Sequence, residues 1–196
     1  MRTAIFGGTF DPVHSAHLVM ARQAAEQFSL DRVLFIPAGN PPHKQADTPY
    51  EHRFKMVELA CAVDPRFTAS RLEEGREKSY SIHTIERVQA ANGDLFFIIG
   101  SDAFEEITTW YRWQDVVRAV EFIVVARPGH EIVHPAGARV YLLDAVELPV
   151  SSSEIRWALA RGEAPAELPL AVLDYIRANH LYRNEARPSG LRVPEI

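Results

Sequence analysis

A short apolar strand, Thr3-Ala4-Ile5-Phe6, runs directly into Gly7-Gly8-Thr9-Phe10-Asp11-Pro12-Val13-His14-Ser15-Ala16-His17, and a helical pattern starts at Ser15. Strand, glycine turn and helix in that order begin a βαβ unit, which constrains the fold more than any other stretch of the chain. The two glycines let the backbone turn tightly and approach a ligand with no Cβ in the way, and Pro12 stiffens the turn. His14 and His17, three residues apart, share a face of the first helical turn. Free backbone N–H groups and the positive end of the helix dipole favour an anion there, so the geometry suits a nucleotide phosphate. Neither G-x-G-x-x-G nor G-x-x-x-x-G-K-[ST] is present. Zinc is the competing ligand for the two histidines, but their spacing is not that of H-E-x-x-H, and the single cysteine, Cys61, sits in an apolar helical stretch.

The βαβ rhythm continues. Strands are expected near 2–6, 32–36, 66–70, 95–99, 121–126 and 139–143, and helices near 15–28, 51–63, 79–91, 113–119, 152–161 and 169–178. This pattern predicts an α/β fold, a doubly wound Rossmann-like parallel sheet flanked by helices, with ligands at the carboxyl ends of its strands. With 196 residues, 47% of them hydrophobic, and no internal repeat, one domain over residues 1–183 is expected. Residues 184–196 lack periodicity and read as a loose tail. A net charge of −5 and a pI near 5.9 argue against a nucleic-acid partner, so anions must be met locally. One cysteine gives no disulfide framework, and the lack of a cleavable apolar leader or a membrane-length run predicts a cytoplasmic location without membrane attachment.

A second chemical segment, Val150-Ser151-Ser152-Ser153-Glu154-Ile155-Arg156, precedes a helix. By itself it reads as a helix cap, with Glu154 suited to the N-terminal dipole. Together the two segments resemble G-G-x-F-D-P-x-H-x-G-H and I-S-S-T-x-I-R of the nucleotidyltransferase superfamily, which includes several class I tRNA synthetases. The middle of the chain is similar to bacterial nicotinate mononucleotide adenylyltransferases. That likeness is carried by Pro37-Ala38-Gly39-Asn40-Pro41-Pro42-His43-Lys44, Glu51 through Met56, Lys78 through Thr84, Ile98 through Asp102, Thr109-Trp110-Tyr111, Val172 through Ile176 and Leu181-Tyr182. It covers roughly residues 1–183.

The resemblance implies that Gly7, Gly8, Thr9, Phe10, His14, His17, Gly100, Asp102, Ser151, Ser152, Ser153 and Arg156 bind ATP, with His14, His17 and Arg156 catalytic. It further implies that Trp110 stacks on the nicotinate ring, while the Tyr111 amide and the Ser81 hydroxyl hold its carboxylate. His43 and Lys44 complete the acceptor side, Lys44 as a cation able to meet a phosphate. Stacking of a cationic pyridine ring on Trp110 would contribute ~0.5–2 kcal/mol. Asp102 has a competing reading as N-cap of a short helix from Ala103, and Arg53 reads as a structural ion-pair partner outside the site.

The implied reaction moves AMP from ATP to the 5′-phosphate of nicotinate mononucleotide, giving deamido-NAD and pyrophosphate. Mg²⁺ is carried mainly by ATP, because no carboxylate cage is visible in the sequence. The alternatives are an adenylyl- or cytidylyltransferase for another phosphorylated acceptor such as phosphopantetheine, and a non-catalytic nucleotide-binding regulator. Either a monomer or a homo-oligomer is compatible with the chain. The chain departs from the family pattern at several positions. Val150 stands for isoleucine, Ser81 and Ser153 for threonine and Ala16 for a glycine, and His83 replaces an acid, which would make the pocket sensitive to pH near the imidazole value of about 6.5.

Overall fold

Leu95-Phe96-Phe97-Ile98-Ile99 has no polar residue to turn toward water, so a strand built from it must be covered on both faces. The computed structural model, which describes residues 1–40, 46–75, 78–89, 94–126, 132–144 and 150–184, places this run as β4 (Leu95–Gly100) inside a six-stranded sheet. The other strands are β1 (Thr3–Gly8), β2 (Arg32–Pro37), β3 (Phe67–Ala69), β5 (Glu121–Ala126) and β6 (Arg139–Asp144). Their order is β3-β2-β1-β4-β5-β6, and every pairing is parallel. The helices are α1 (Ser15–Gln27), α2 (Tyr50–Cys61), α3 (Ser81–Gln89), α4 (Ser101–Glu105), α5 (Trp113–Ala119), α6 (Ser152–Ala160) and α7 (Leu170–Ala178).

The alternation of strand side chains divides the core in two. Ala4, Phe6, Phe35, Phe96, Ile98 and Ile123 pack with residues of α1, α2 and α7. Ile5, Leu34, Phe97, Ile99, Phe122 and Val124 pack with residues of α3, α4 and α5. On α1 the buried positions include Ala21, Ala24 and Ala25, small enough for the helix to lie close to the sheet.

Sequence order runs outward from β1 to β3 on one side, then resumes at β4 on the other. The chain therefore reverses direction between β1 and β4, which opens a crevice above their carboxyl ends, where ligands bind in folds of this kind. Gly8 and Gly100 stand at those two ends.

The expected doubly wound parallel sheet is observed, and each expected strand and helix is found within about two residues of its predicted bounds. The short helix expected from Ala103 begins two residues earlier, at Ser101, because the extended Gly100 ends β4 and serves as N-cap. Asp102 is therefore a first-turn residue and not a cap, a position where a carboxylate still suits the helix dipole. A single 3₁₀ turn, Ile107–Thr109, was not expected. Of the proposed tail only Asn184 lies within the described residues, and among these no helix is long and apolar enough to cross a membrane.

Candidate active site

The turn after β1 is made differently from the way its glycines suggest. Gly7 and Gly8 remain inside the strand, and the residue with left-handed backbone is Phe10, at φ 49°. Gly8 serves packing: a Cβ there would lie 3.0 Å from the Phe10 ring. That ring is turned into the core beside Phe6 and Phe35, and the residue as a whole is 2% exposed, so the Phe10 side chain is closed to a nucleotide. The Asp11–Pro12 peptide that follows is cis.

Four side chains from distant parts of the sequence hold this turn. Arg53 of α2 donates from Nη1 to the Thr9 carbonyl at 2.8 Å and from Nε to the Thr48 carbonyl at 3.0 Å. Arg156 of α6 donates from Nη1 to the Asp11 carbonyl at 2.8 Å, and Ser152 donates from Oγ to the Pro12 carbonyl at 3.0 Å. Tyr182, beyond α7, donates its hydroxyl to Asp11 Oδ1 at 2.6 Å. Arg53 is only 2% exposed, and burial lowers its pKa while the charge of Asp11 opposes that shift. Its hydrogen-bond partners are backbone carbonyls, so the expected structural role takes the form of a clamp on this turn, with the charge of Asp11 nearby. A guanidinium stays charged even there, and these acceptors replace the water it has lost.

The same turn fixes the two imidazoles. His14 is the N-cap residue of α1, and its backbone N–H donates to His17 Nδ1 at 3.2 Å. A ring nitrogen that accepts carries no proton, so the proton of neutral His17 sits on Nε2, which can donate to a ligand oxygen. The two rings lie 3.8 Å apart between centroids, and Phe10 meets the edge of His17 at 5.0 Å. His14 is 4% exposed, and burial drives its pKa down to about 4. At neutral pH it is therefore an uncharged group. Fewer backbone donors are free here than the sequence suggests: the Ser15 N–H goes to the Glu167 carbonyl at 2.8 Å and the His17 N–H to the His14 carbonyl at 3.0 Å. Ala16, the first departure from the family pattern, is buried in this turn of α1.

On the other side of the turn lies a cavity of about 830 Å³, bounded by the ends of β1 and β4 and by the start of α3. It brings together Gly7, Gly8, Thr9, Gly100, Ser81, Trp110 and Tyr111. Trp110 is half-buried, with its ring edge-on to Phe97 at 6.0 Å. Tyr111 is 51% exposed and packs on Tyr80 at 4.6 Å, while His83 meets both tyrosine rings edge-on at 5.9 Å. The cavity does not take in Phe10, His14, His17, Asp102, Ser151, Ser152, Ser153 or Arg156. Of these, His14, His17, Ser152 and Arg156 gather around the turn, while Asp102 is exposed on α4. Ser151 behaves as a cap, its Oγ accepting from the Glu154 N–H at 3.2 Å. His43 and Lys44 lie outside the described residues.

Asp11 and Glu73 are buried polar residues that the sequence does not single out. Glu73 is buried in the cavity wall, where burial raises its pKa while bonds from Thr84, Ser79 and the Gly39 N–H oppose the rise. Thr84 Oγ1 donates to it at 2.8 Å, and a Cβ on Gly39 would meet the Glu73 carbonyl oxygen at 2.0 Å. Glu73 thus ties the exit of β2 to the start of α3. Nothing in its acidic neighbourhood, Glu73-Glu74-Gly75-Arg76-Glu77, separates it from a solvated loop. Lys78 is the one cation among the described residues lining the cavity. Among the described residues no group of three or more His, Cys, Asp or Glu could hold a metal ion.

Residues 5–158 match the cytidylyltransferase-like family. A relative from Solibacter usitatus, named "Probable nicotinate-nucleotide adenylyltransferase", is 59% identical over 93% of this chain and its own full length. One of the same name from Thermus thermophilus is 42% identical over the same shares. This chain belongs to the nicotinate-nucleotide adenylyltransferase family. Among solved structures, the Plasmodium falciparum nicotinic acid mononucleotide adenylyltransferase complexed with APC superposes on the enzyme with a TM-score of 0.76 at 21% identity, covering 92% of this chain and 96% of the other. The complex of that protein with NaAD gives 0.75 at 21% identity, covering 92% and 97%. At that identity the likeness speaks for the fold.

The burial of His14 has a consequence for stability. Its folded-state value of about 4 lies below its ordinary 6.5, so between these pH values the unfolded chain binds the proton and the folded enzyme does not. Stability is therefore lost as pH falls from 6.5 toward 4. In urea denaturation the native enzyme should lose about 2 kcal/mol more than His14→Gln between pH 7 and pH 4.5. Equal losses would show that His14 takes up its proton freely in the fold.

Proposed function

We infer that this chain transfers AMP from ATP to the 5′-phosphate of nicotinate mononucleotide, giving deamido-NAD and pyrophosphate, as a nicotinate-nucleotide adenylyltransferase of NAD biosynthesis. The observation that carries the reading is the pairing, at the switch point of one parallel sheet, of a clamped phosphate turn bearing two imidazoles with a cavity walled by Trp110 and Ser81. Family membership supports this acceptor over phosphopantetheine. The soluble chemistry of the substrates fits a cytoplasmic enzyme.

A phosphate oxygen of the mononucleotide attacks the α-phosphorus of ATP in line. The new oxygen–phosphorus bond forms as the bond to the β-phosphate oxygen breaks, and pyrophosphate leaves with that electron pair. The nucleophile is already an anion and the leaving group is stable, so neither a general base nor a covalent intermediate is required. Catalysis then consists of positioning and charge stabilisation. His17 donates from Nε2 to an oxygen of the transferring phosphate, and His14 lines the same approach as a neutral group. Arg156 exchanges the Asp11 carbonyl for the β- and γ-phosphates, with Ser152 and Ser153 beside it; its planar fork suits phosphate oxygens. Mg²⁺ arrives as part of the ATP substrate, held by phosphate oxygens and water.

On the acceptor side, Trp110 stacks on the pyridine ring, while the Ser81 hydroxyl and the Tyr111 amide take the carboxylate. Ser81 opens α3, so its helix N-terminus adds a favourable dipole for that anion. Neutral donors discriminate gently, and the acid mononucleotide is accordingly preferred over the amide without excluding it.

A pyrophosphate-release assay with ATP and a panel of acceptor phosphates tests the reading: the nicotinate mononucleotide should give the highest kcat/KM. Release with phosphopantetheine alone would assign another transferase, and ATP binding without release for any acceptor would assign a regulator. His17→Ala should lower kcat by at least ~10²-fold with the fold intact by circular dichroism, the usual cost of losing a preorganised donor. Near-normal turnover would remove His17 from the chemistry. Trp110→Ala should raise KM for the mononucleotide far more than KM for ATP; equal rises would make Trp110 a purely structural residue.

A further inference from the structure

Leu181-Tyr182 belongs to the part of the sequence that carries the family likeness, yet neither residue has a role in the reaction just described. Tyr182 lies 171 positions from Asp11, and both are buried. Its hydroxyl donates to Asp11 Oδ1 at 2.6 Å and also bonds the Thr48 side chain. Thr48 in turn gives its carbonyl to Arg53, whose other arm holds the Thr9 carbonyl. The segment that delivers the hydroxyl has left-handed backbone at two non-glycine residues, His180 at φ 56° and Tyr182 at φ 62°. Such a conformation persists only where surrounding contacts impose it.

We propose that Tyr182 is a positioning residue for ATP, acting through Asp11 to set the phosphate turn. The carbonyls of Thr9, Asp11 and Pro12 are held by Arg53, Arg156 and Ser152, but Arg156 is also the group that must turn toward phosphate. When it does, the Asp11 carbonyl loses that donor. The Asp11 carboxylate, bonded to Tyr182, then keeps the turn in place between Thr9 and His14. Without the hydroxyl, a buried carboxylate loses a short charge-assisted bond and rotates toward other donors, carrying the turn and the His14 N–H that orients His17. Tyr182 touches no reacting atom in this scheme. Its role rests on the adenylyl-transfer reading for the identity of the reaction, but its effect on ATP does not depend on the acceptor.

The test is Tyr182→Phe in the full chain, followed by calorimetric ATP titration, steady-state kinetics and thermal melting. ATP affinity and kcat/KM for ATP should each fall about tenfold, the loss expected for a hydrogen bond to a charged group, while KM for the mononucleotide stays within about twofold. A lower melting temperature with ATP affinity and kcat/KM both unchanged would make Tyr182 a stabilising residue only and overturn the proposal. If the native enzyme yields no product from the mononucleotide, the reading of the reaction fails while the titration still decides the role of Tyr182. Should Tyr182→Phe not fold, the titration compares Asp11→Asn, which keeps an oxygen for the hydroxyl, with Asp11→Ala, which does not. ATP binding at least about fivefold tighter in Asp11→Asn supports the proposal, and equal affinities overturn it.

Discussion

The site depends on how the chain leaves β1. A strand end followed by a left-handed Phe10 would have no reason to hold one shape by itself, and its carbonyls would be open to water. Here three of those carbonyls and one carboxylate are held by side chains from α2, α6 and the segment after α7. The turn is thereby a product of the whole fold. Removing the Tyr182 hydroxyl leaves a buried acceptor unsatisfied, which costs more than the net value of the bond that was present.

This clamping also determines the kind of catalysis available. His17 accepts from the His14 N–H and His14 is buried neutral, so the free enzyme holds the two imidazoles in fixed orientation. The permanent charge comes from Arg156, which in the free enzyme rests on the Asp11 carbonyl. In the proposed reaction a triphosphate that displaces that contact would gain a charged fork already within reach, while the turn behind it stays held by Arg53, Ser152 and Tyr182. The arrangement suits a reaction whose nucleophile and leaving group need orientation and charge stabilisation but no proton transfer.

The fold was legible because its signals are local. The unbroken apolar run of β4 demands cover on both faces, and alternating strand and helix periods demand a parallel sheet. The turn after β1 was legible as a turn for the same reason, and the resemblance singled out Ser81, Trp110 and Tyr111, which the fold brings to one cavity. The mechanics of the turn were not. Gly7 and Gly8 suggested the bend, whereas Phe10 makes it and Gly8 leaves room for the Phe10 ring. Arg53 sits at a helical position that reads as an ordinary ion-pair partner, and only the fold brings it to Thr9. Glu73 and Tyr182 act across folded distances that no periodicity encodes. Ser151 fits its local reading as a cap, while Ser152, one residue on, is committed to the turn.

In the proposed reaction the turn is built before ATP arrives and receives the phosphates without refolding. A crystal structure of the full chain with a non-hydrolysable ATP analogue measures this directly. The triphosphate should lie within hydrogen-bonding distance of His17 Nε2 and the Arg156 guanidinium, with Arg156 released from the Asp11 carbonyl and the backbone of residues 9–14 moved by less than about 1 Å. A triphosphate bound away from these groups, or a turn rebuilt around it with the Tyr182–Asp11 bond broken, would contradict it.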